Sequence, residues 1–124
     1  MLFRSGYSLE TYKSEFEALL KRAVNFAGGN ASKTVVISIP DWGVTPFAAD
    51  RDREAIAREI DAFNAANRAI ATAHSVAYID ITEHSRLALD NLHLTASDGL
   101  HPAAEIYTHW AEQVAEWYQK KTCR

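Results

Sequence analysis

Thr34-Val35-Val36-Ile37-Ser38-Ile39-Pro40 is the stretch on which the fold turns. It is short, β-branched and nearly all apolar, and Pro40 closes it. A strand buried on both faces of a parallel sheet reads this way, because alternation vanishes when neither face meets water. A loop from Asp41 to Ala49 follows, with Gly43 and Pro46 as breakers. From Asp50, the expected N-cap, the period becomes helical, with Ile56, Ile60, Phe63 and Ile70 on the buried face. Arg53, Glu54, Arg58, Glu59 and Arg68 carry the polar face. A second strand is expected at Val76-Ala77-Tyr78-Ile79-Asp80-Ile81. A helix between two strands is a β-α-β crossover, so the strands should run parallel.

Outward from this core, Leu9, Tyr12, Phe16, Leu19, Leu20, Ala23 and Phe26 form one apolar stripe on a helix from Ser8 to Ala27. Ser8 should cap it and Gly28-Gly29 should end it. Residues Thr82 to Leu100 read as loop with one short helix near Ser85 to Leu89. A last helix is expected to start at Pro102 and to bury Ile106, Trp110, Val114 and Trp117. Two strands are few for a parallel sheet covered on both faces. The element list therefore reads as part of a domain, one partial α/β domain over residues 1–124.

Composition narrows the function classes. The 124 residues are 48% hydrophobic and 23% charged, enough apolar surface to fold. Net charge is −3, with no basic stripe to neutralise phosphates, so nucleic acid is not an expected partner. Lys120, Lys121 and Arg124 suit the end of a helix dipole. The single cysteine, Cys123, excludes an internal disulfide and paired-cysteine metal sites. No apolar run approaches the roughly 20 residues of a membrane span. Met1 to Gly6 is too short and polar for a signal peptide. Nothing in the chain assigns a compartment.

Chemistry gathers beyond the carboxyl ends of the strands in open α/β sheets. The loop Pro40 to Phe47 and the segment ending at Asp98-Gly99-Leu100-His101-Pro102 both leave there. Pro102 disfavours helical geometry at His101, which places the imidazole at a loop–helix junction. Asp98, three residues earlier, can reach that ring. Acyl transfer needs such a pair, since a hydroxyl is a poor nucleophile until a histidine takes its proton and a carboxylate fixes that histidine's tautomer. On spacing alone a second account stands beside it: Asp98 as a helix cap and His101 as a surface residue. Asp41 and Trp42 would wall the substrate, or equally serve as a turn residue and a packed aromatic.

The Asp98-Gly99-Leu100-His101-Pro102 block resembles the last block of the SGNH (GDSL-type) hydrolases, Asp-x-x-His-Pro before the final helix. The likeness continues, in order, through Leu9 to Ala27, Val35 to Phe47, Ile60-Asp61-Ala62-Phe63-Asn64 and Tyr78-Ile79-Asp80-Ile81-Thr82. It implies a flavodoxin-like three-layer α/β/α sandwich with a parallel sheet, of which this chain would be the C-terminal part, lacking the N-terminal strands. It implies a serine esterase acting on a small-molecule ester, with His101 as general base, Asp98 as its orienting partner and no cofactor. The family's Gly-Asp-Ser block and its oxyanion-hole glycine and asparagine blocks do not occur here.

Other residues do not fill that gap. Ser97 precedes Asp98 in the wrong order, Ser5 lies at the start, Ser38 lies inside a strand, and Ser8 and Ser85 read as caps. The nucleophile is unassigned, and the chain is expected to be inactive alone. His101, Glu105 and His109 fall at helical spacing, but Pro102 takes His101 out of the helix, so no metal site is expected. His74, His84 and His93 read as solvent or loop histidines. Two further readings compete: a non-catalytic module that self-associates or docks a partner through an exposed sheet edge, and an active minimal enzyme with an unorthodox nucleophile.

Overall fold

Only the middle of the apolar run at residues 34–39 becomes a strand, β1 (Val35–Ile37). It pairs in parallel with β2 (Ala77–Ile79), in the register Val35↔Ala77, Val36↔Tyr78 and Ile37↔Ile79. The computed structural model describes residues 8–122. Cys123, Arg124 and the Met1 to Gly6 segment with Ser5 lie outside them. The expected domain over 1–124 divides into two compact units: residues 8–39 with 58–80, and residues 40–57 with 81–122.

The first unit holds the sheet, α1 (Leu9–Phe26) and α2 (Arg53–Ala73) from Arg58 onward. Ser8 caps α1 by accepting from the Thr11 N–H at 3.0 Å. Gly28 and Gly29, at φ +72° and +78°, end it where L side chains would be strained. Leu20, Val36, Ala71 and Val76 form the core, flanked by Phe16, Val24, Ile70 and Tyr78. Two expectations are corrected. Ile37 is 42% exposed, so β1 is covered on its Val36 face and not on both. Leu19 and Phe26, 61% and 81% exposed, leave the buried stripe of α1 narrower than its apolar stripe.

Two asparagines tie this unit together. Asn64 Oδ1 accepts from the Ile39 N–H at 2.9 Å, holding the chain as it leaves β1. Asn67, 1% exposed, donates to the Tyr12 hydroxyl at 3.0 Å and accepts from the Tyr78 hydroxyl at 2.6 Å. A buried amide is tolerable because these partners satisfy it. Burial raises the Tyr12 phenol and, with Asp80 adding to it, pushes Tyr78 up to about 12.

The second unit begins with two one-turn 3₁₀ helices, Trp42–Val44 and Pro46–Ala48. The turn bonds continue to Arg51, whose N–H donates to the Ala48 carbonyl, so α2 cannot start at Asp50. Asp52 is the cap instead: its Oδ1 accepts from the Ala55 N–H at 3.0 Å. Beyond β2, α3 (Thr82–Ser85) runs into 3₁₀ turns at Arg86–Leu89 and Leu92–Leu94. The last helix, α4 (Ala104–Thr122), starts two residues later than expected. Pro102 instead forms an antiparallel bridge with Thr95. The bridging bonds run from the Ala96 and Ala103 N–H groups, so the missing N–H of proline costs nothing there. Ala88, Leu94 and Ile106 are the core of this unit, with Val44 and Trp110 packed on it.

Candidate active site

The bridge between Thr95 and Pro102 makes residues 94–103 a short hairpin with Asp98 at its tip. The Gly99 N–H donates to the Ala96 carbonyl at 3.0 Å, closing the turn. Gly99 has φ +75°, a conformation that strains any L side chain. Its carbonyl accepts from the Phe47 N–H at 2.9 Å, which pins the Pro40–Phe47 loop to the tip.

Asp98 is used on both oxygens. Oδ1 accepts from the N–H groups of Leu100 and His101, each at 2.9 Å, and Oδ2 faces Nδ1 of the His101 ring. The hydrogen bond from His101 and then these two N–H groups hold the Asp98 carboxyl down at about 2, below its ordinary 3.8. The cap account and the pair account thus describe the same residue, except that Asp98 caps the hairpin turn and not a helix. His101 keeps Nε2 unengaged among the described residues. Its side chain is 65% exposed and that of Asp98 is 49% exposed.

Asp41 and Trp42 sit in the same unit with different surroundings. The Asp41 carboxylate is buried; Oδ1 accepts from the Gly43 N–H at 2.8 Å and Oδ2 meets Arg86 Nε at 2.9 Å. Its own N–H donates to Ser85 Oγ at 2.9 Å. A Cβ at Gly43 would lie 2.8 Å from Ile56 Cγ2 and 2.9 Å from Asp41 Oδ1, so only glycine fits this turn. The Trp42 ring lies edge-on to Phe47 with centroids 6.1 Å apart, and the Arg51 guanidinium stands 5.7 Å over Trp42. Trp42, Val44, Leu94, Leu100, Pro102 and Ile106 wall a cavity of about 60 Å³, with Asp41 and Ser85 also on its lining.

The remaining histidines do not behave as solvent or loop residues throughout. His74 Nε2 pairs with Glu17 Oε2 at 2.7 Å, and that bond lowers the Glu17 carboxyl. His84 stacks on His109 with centroids 3.7 Å apart, and burial, then the neighbouring His109, lowers its pKa. His93 Nε2 lies 3.9 Å from Glu105 Oε2. Sequence reading missed all three pairings, which join residues far apart in the chain, His74 and Glu17 by 57 positions, so that no local spacing signals them. Among the described residues no three metal-ligating side chains converge.

With this geometry in place, comparison with known proteins gives one match: the family model described as the GDSL-like lipase/acylhydrolase family matches residues 3–109. No curated protein and no solved structure matches the chain.

Proposed function

Given that the chain belongs to the GDSL-like lipase/acylhydrolase family, we propose that Asp98 and His101 are the orienting carboxylate and general base of an acyl hydrolase that acts on ester bonds. The observation that carries this reading is the Asp98 Oδ2 contact with His101 Nδ1, which leaves Nε2 to work on a proton. In the reaction, Nε2 takes the proton of a hydroxyl as its oxygen attacks the acyl carbon. The protonated ring then returns that proton to the departing alcohol oxygen, and water repeats the cycle on the acyl group. Asp98 stays ionised and stabilises the imidazolium. Asp41 and Trp42 would border the substrate, Asp41 through the backbone it shapes because its carboxylate is bonded within the protein.

The hydroxyl is not assigned to any serine of this chain. Ser8 caps α1, Ser85 bonds Asp41 and Thr82, and Ser38 is 3% exposed beside Asp80. Ser97 is exposed on the hairpin, with no strand-to-helix turn around it. A fluorophosphonate probe should therefore leave the full chain unlabelled; labelling that disappears in His101→Ala would show a serine completing the site here. Imidazole ¹⁵N shifts test the pair directly. The Nδ1–H tautomer should dominate and should lose that dominance in Asp98→Ala. A wild-type ring found as the Nε2–H tautomer would end the general-base assignment.

A second reading, a self-associating or partner-docking α/β module, is favoured by the exposed Leu19 and Phe26 and by a sheet of two strands.

A further inference from the structure

We infer that the cavity beside the hairpin is an acyl-chain pocket, and that the substrate is an ester of a short, uncharged acid. This rests on the acyl-hydrolase reading above and adds the substrate class to it.

The cavity and the pair share one piece of backbone. Leu100 and Pro102, on either side of His101, both line the cavity. Two consecutive Cα atoms are 3.8 Å apart, so the pocket wall lies one residue from the base in both directions. Because the neighbours of His101 wall the cavity while its own ring is turned to Asp98 and 65% exposed, the pocket is no socket for the imidazole. It suits the chain of the acid, with the bond to be broken outside the mouth.

The lining selects an apolar occupant. Three of the polar residues on it, Asp41, Thr45 and Ser85, have their side chains bonded within the protein. Asp41 is held by Gly43 and Arg86, and the Ser85 hydroxyl donates to the Thr82 carbonyl. The Thr45 hydroxyl donates to the Trp42 carbonyl at 2.6 Å. A charged or hydroxylated chain would lose its water and find little in return, at a cost of ~1–3 kcal/mol for each unpaired polar group. Trp42, Val44, Leu94 and Ile106 offer carbon surface instead.

Size sets the length. One water-sized centre needs roughly 10–15 Å³ on this measure, so about 60 Å³ admits about four to six such centres. A chain of a few carbons fills it, and a much longer one must leave it.

The test uses the full chain and non-hydrolysable amides, so it does not depend on turnover. Butyramide should produce saturable shifts in the backbone amides of Trp42, Val44 and Leu100 by ¹H–¹⁵N NMR. Octanamide should bind no more tightly than butyramide. His101→Ala should keep the butyramide shifts, which separates this pocket from the catalytic reading. Ala88→Leu, a large change at a lining residue, and Val44→Ile, a milder one at another, should each weaken binding; a melting temperature for each variant shows that it is folded. Absent shifts in the wild type, tighter binding of octanamide, or unchanged binding in both folded variants would overturn the assignment.

Discussion

Asp98 is the residue on which acid sensitivity turns. Its carboxyl titrates near 3.8 in an unfolded chain and at about 2 here, because the ring of His101 and two N–H groups bond its ionised form. The unfolded state therefore takes up the proton first as pH falls. The stabilisation from Asp98 is complete above pH ~4 and is lost as pH drops from ~4 through ~2. An Asp98→Asn variant should be less stable than wild type at pH 6, and the gap should close across that interval in urea unfolding followed by circular dichroism. A gap that stayed constant down to pH 2 would show that the carboxylate is not held as described. The reach of Asp98 to His101 was legible in sequence, because the two are three apart and Pro102 disfavours helical geometry at His101, though spacing left the cap and the pair accounts side by side. The hairpin was not, because the bridge between Thr95 and Pro102 is decided by pairing across the turn and leaves no periodic signal.

At the scale of elements, the loop after β1 is fastened to the turn after α3 by Arg86 and Asp41. Their side chains are 23% and 3% exposed, and Arg86 also meets Glu83 at the surface. Removing the guanidinium leaves a buried carboxylate with only the Gly43 N–H. Arg86→Met should cost roughly 3–5 kcal/mol of unfolding free energy, the range for breaking one side of a buried pair. Adding Asp41→Asn should restore part of it, since a neutral amide oxygen still accepts from Gly43 without an unpaired charge. Chemical denaturation of the single and double variants measures both, and a double variant no better than the single would count against the buried-charge account. The sequence placed Asp41 in the loop and left its role between wall and turn. It could not place Arg86, whose partner lies 45 residues away. Element ends show the same limit. Ser8 and the Gly28-Gly29 pair announced the ends of α1 through local chemistry. The end of α2 rests on Ser75 at φ +60°, followed by the Val76 N–H bonding the Ala71 carbonyl at 2.8 Å, a left-handed closure that glycine would have advertised and serine does not.

At the scale of the whole molecule, apolar surface remains uncovered among the described residues. Phe26 and Leu19 stand out on α1, Leu92 is 69% exposed, and each strand of the two-stranded sheet has one outer edge. Unpaired strand edges and exposed large apolar side chains favour association. Sedimentation velocity should show a mass that rises with protein concentration, and Phe26→Ser should shift that rise to higher concentration. A strictly monomeric protein that binds no apolar dye would remove the self-associating reading. No helix among the described residues is long and apolar enough to cross a membrane.

The sequence by itself determined the strand and helix segments of the β-α-β unit at residues 35–79, the amphipathic helices, and the placing of Asp98 within reach of His101. Each rests on neighbours within a few turns of chain, where period, caps and proline geometry act. Only the tertiary structure decided which apolar faces are covered, that Asp41 is spent on Arg86, and that Leu100 and Pro102 turn the hairpin of His101 into the wall of a cavity. Burial and long-range pairing depend on residues far apart in sequence, and local chemistry does not specify them.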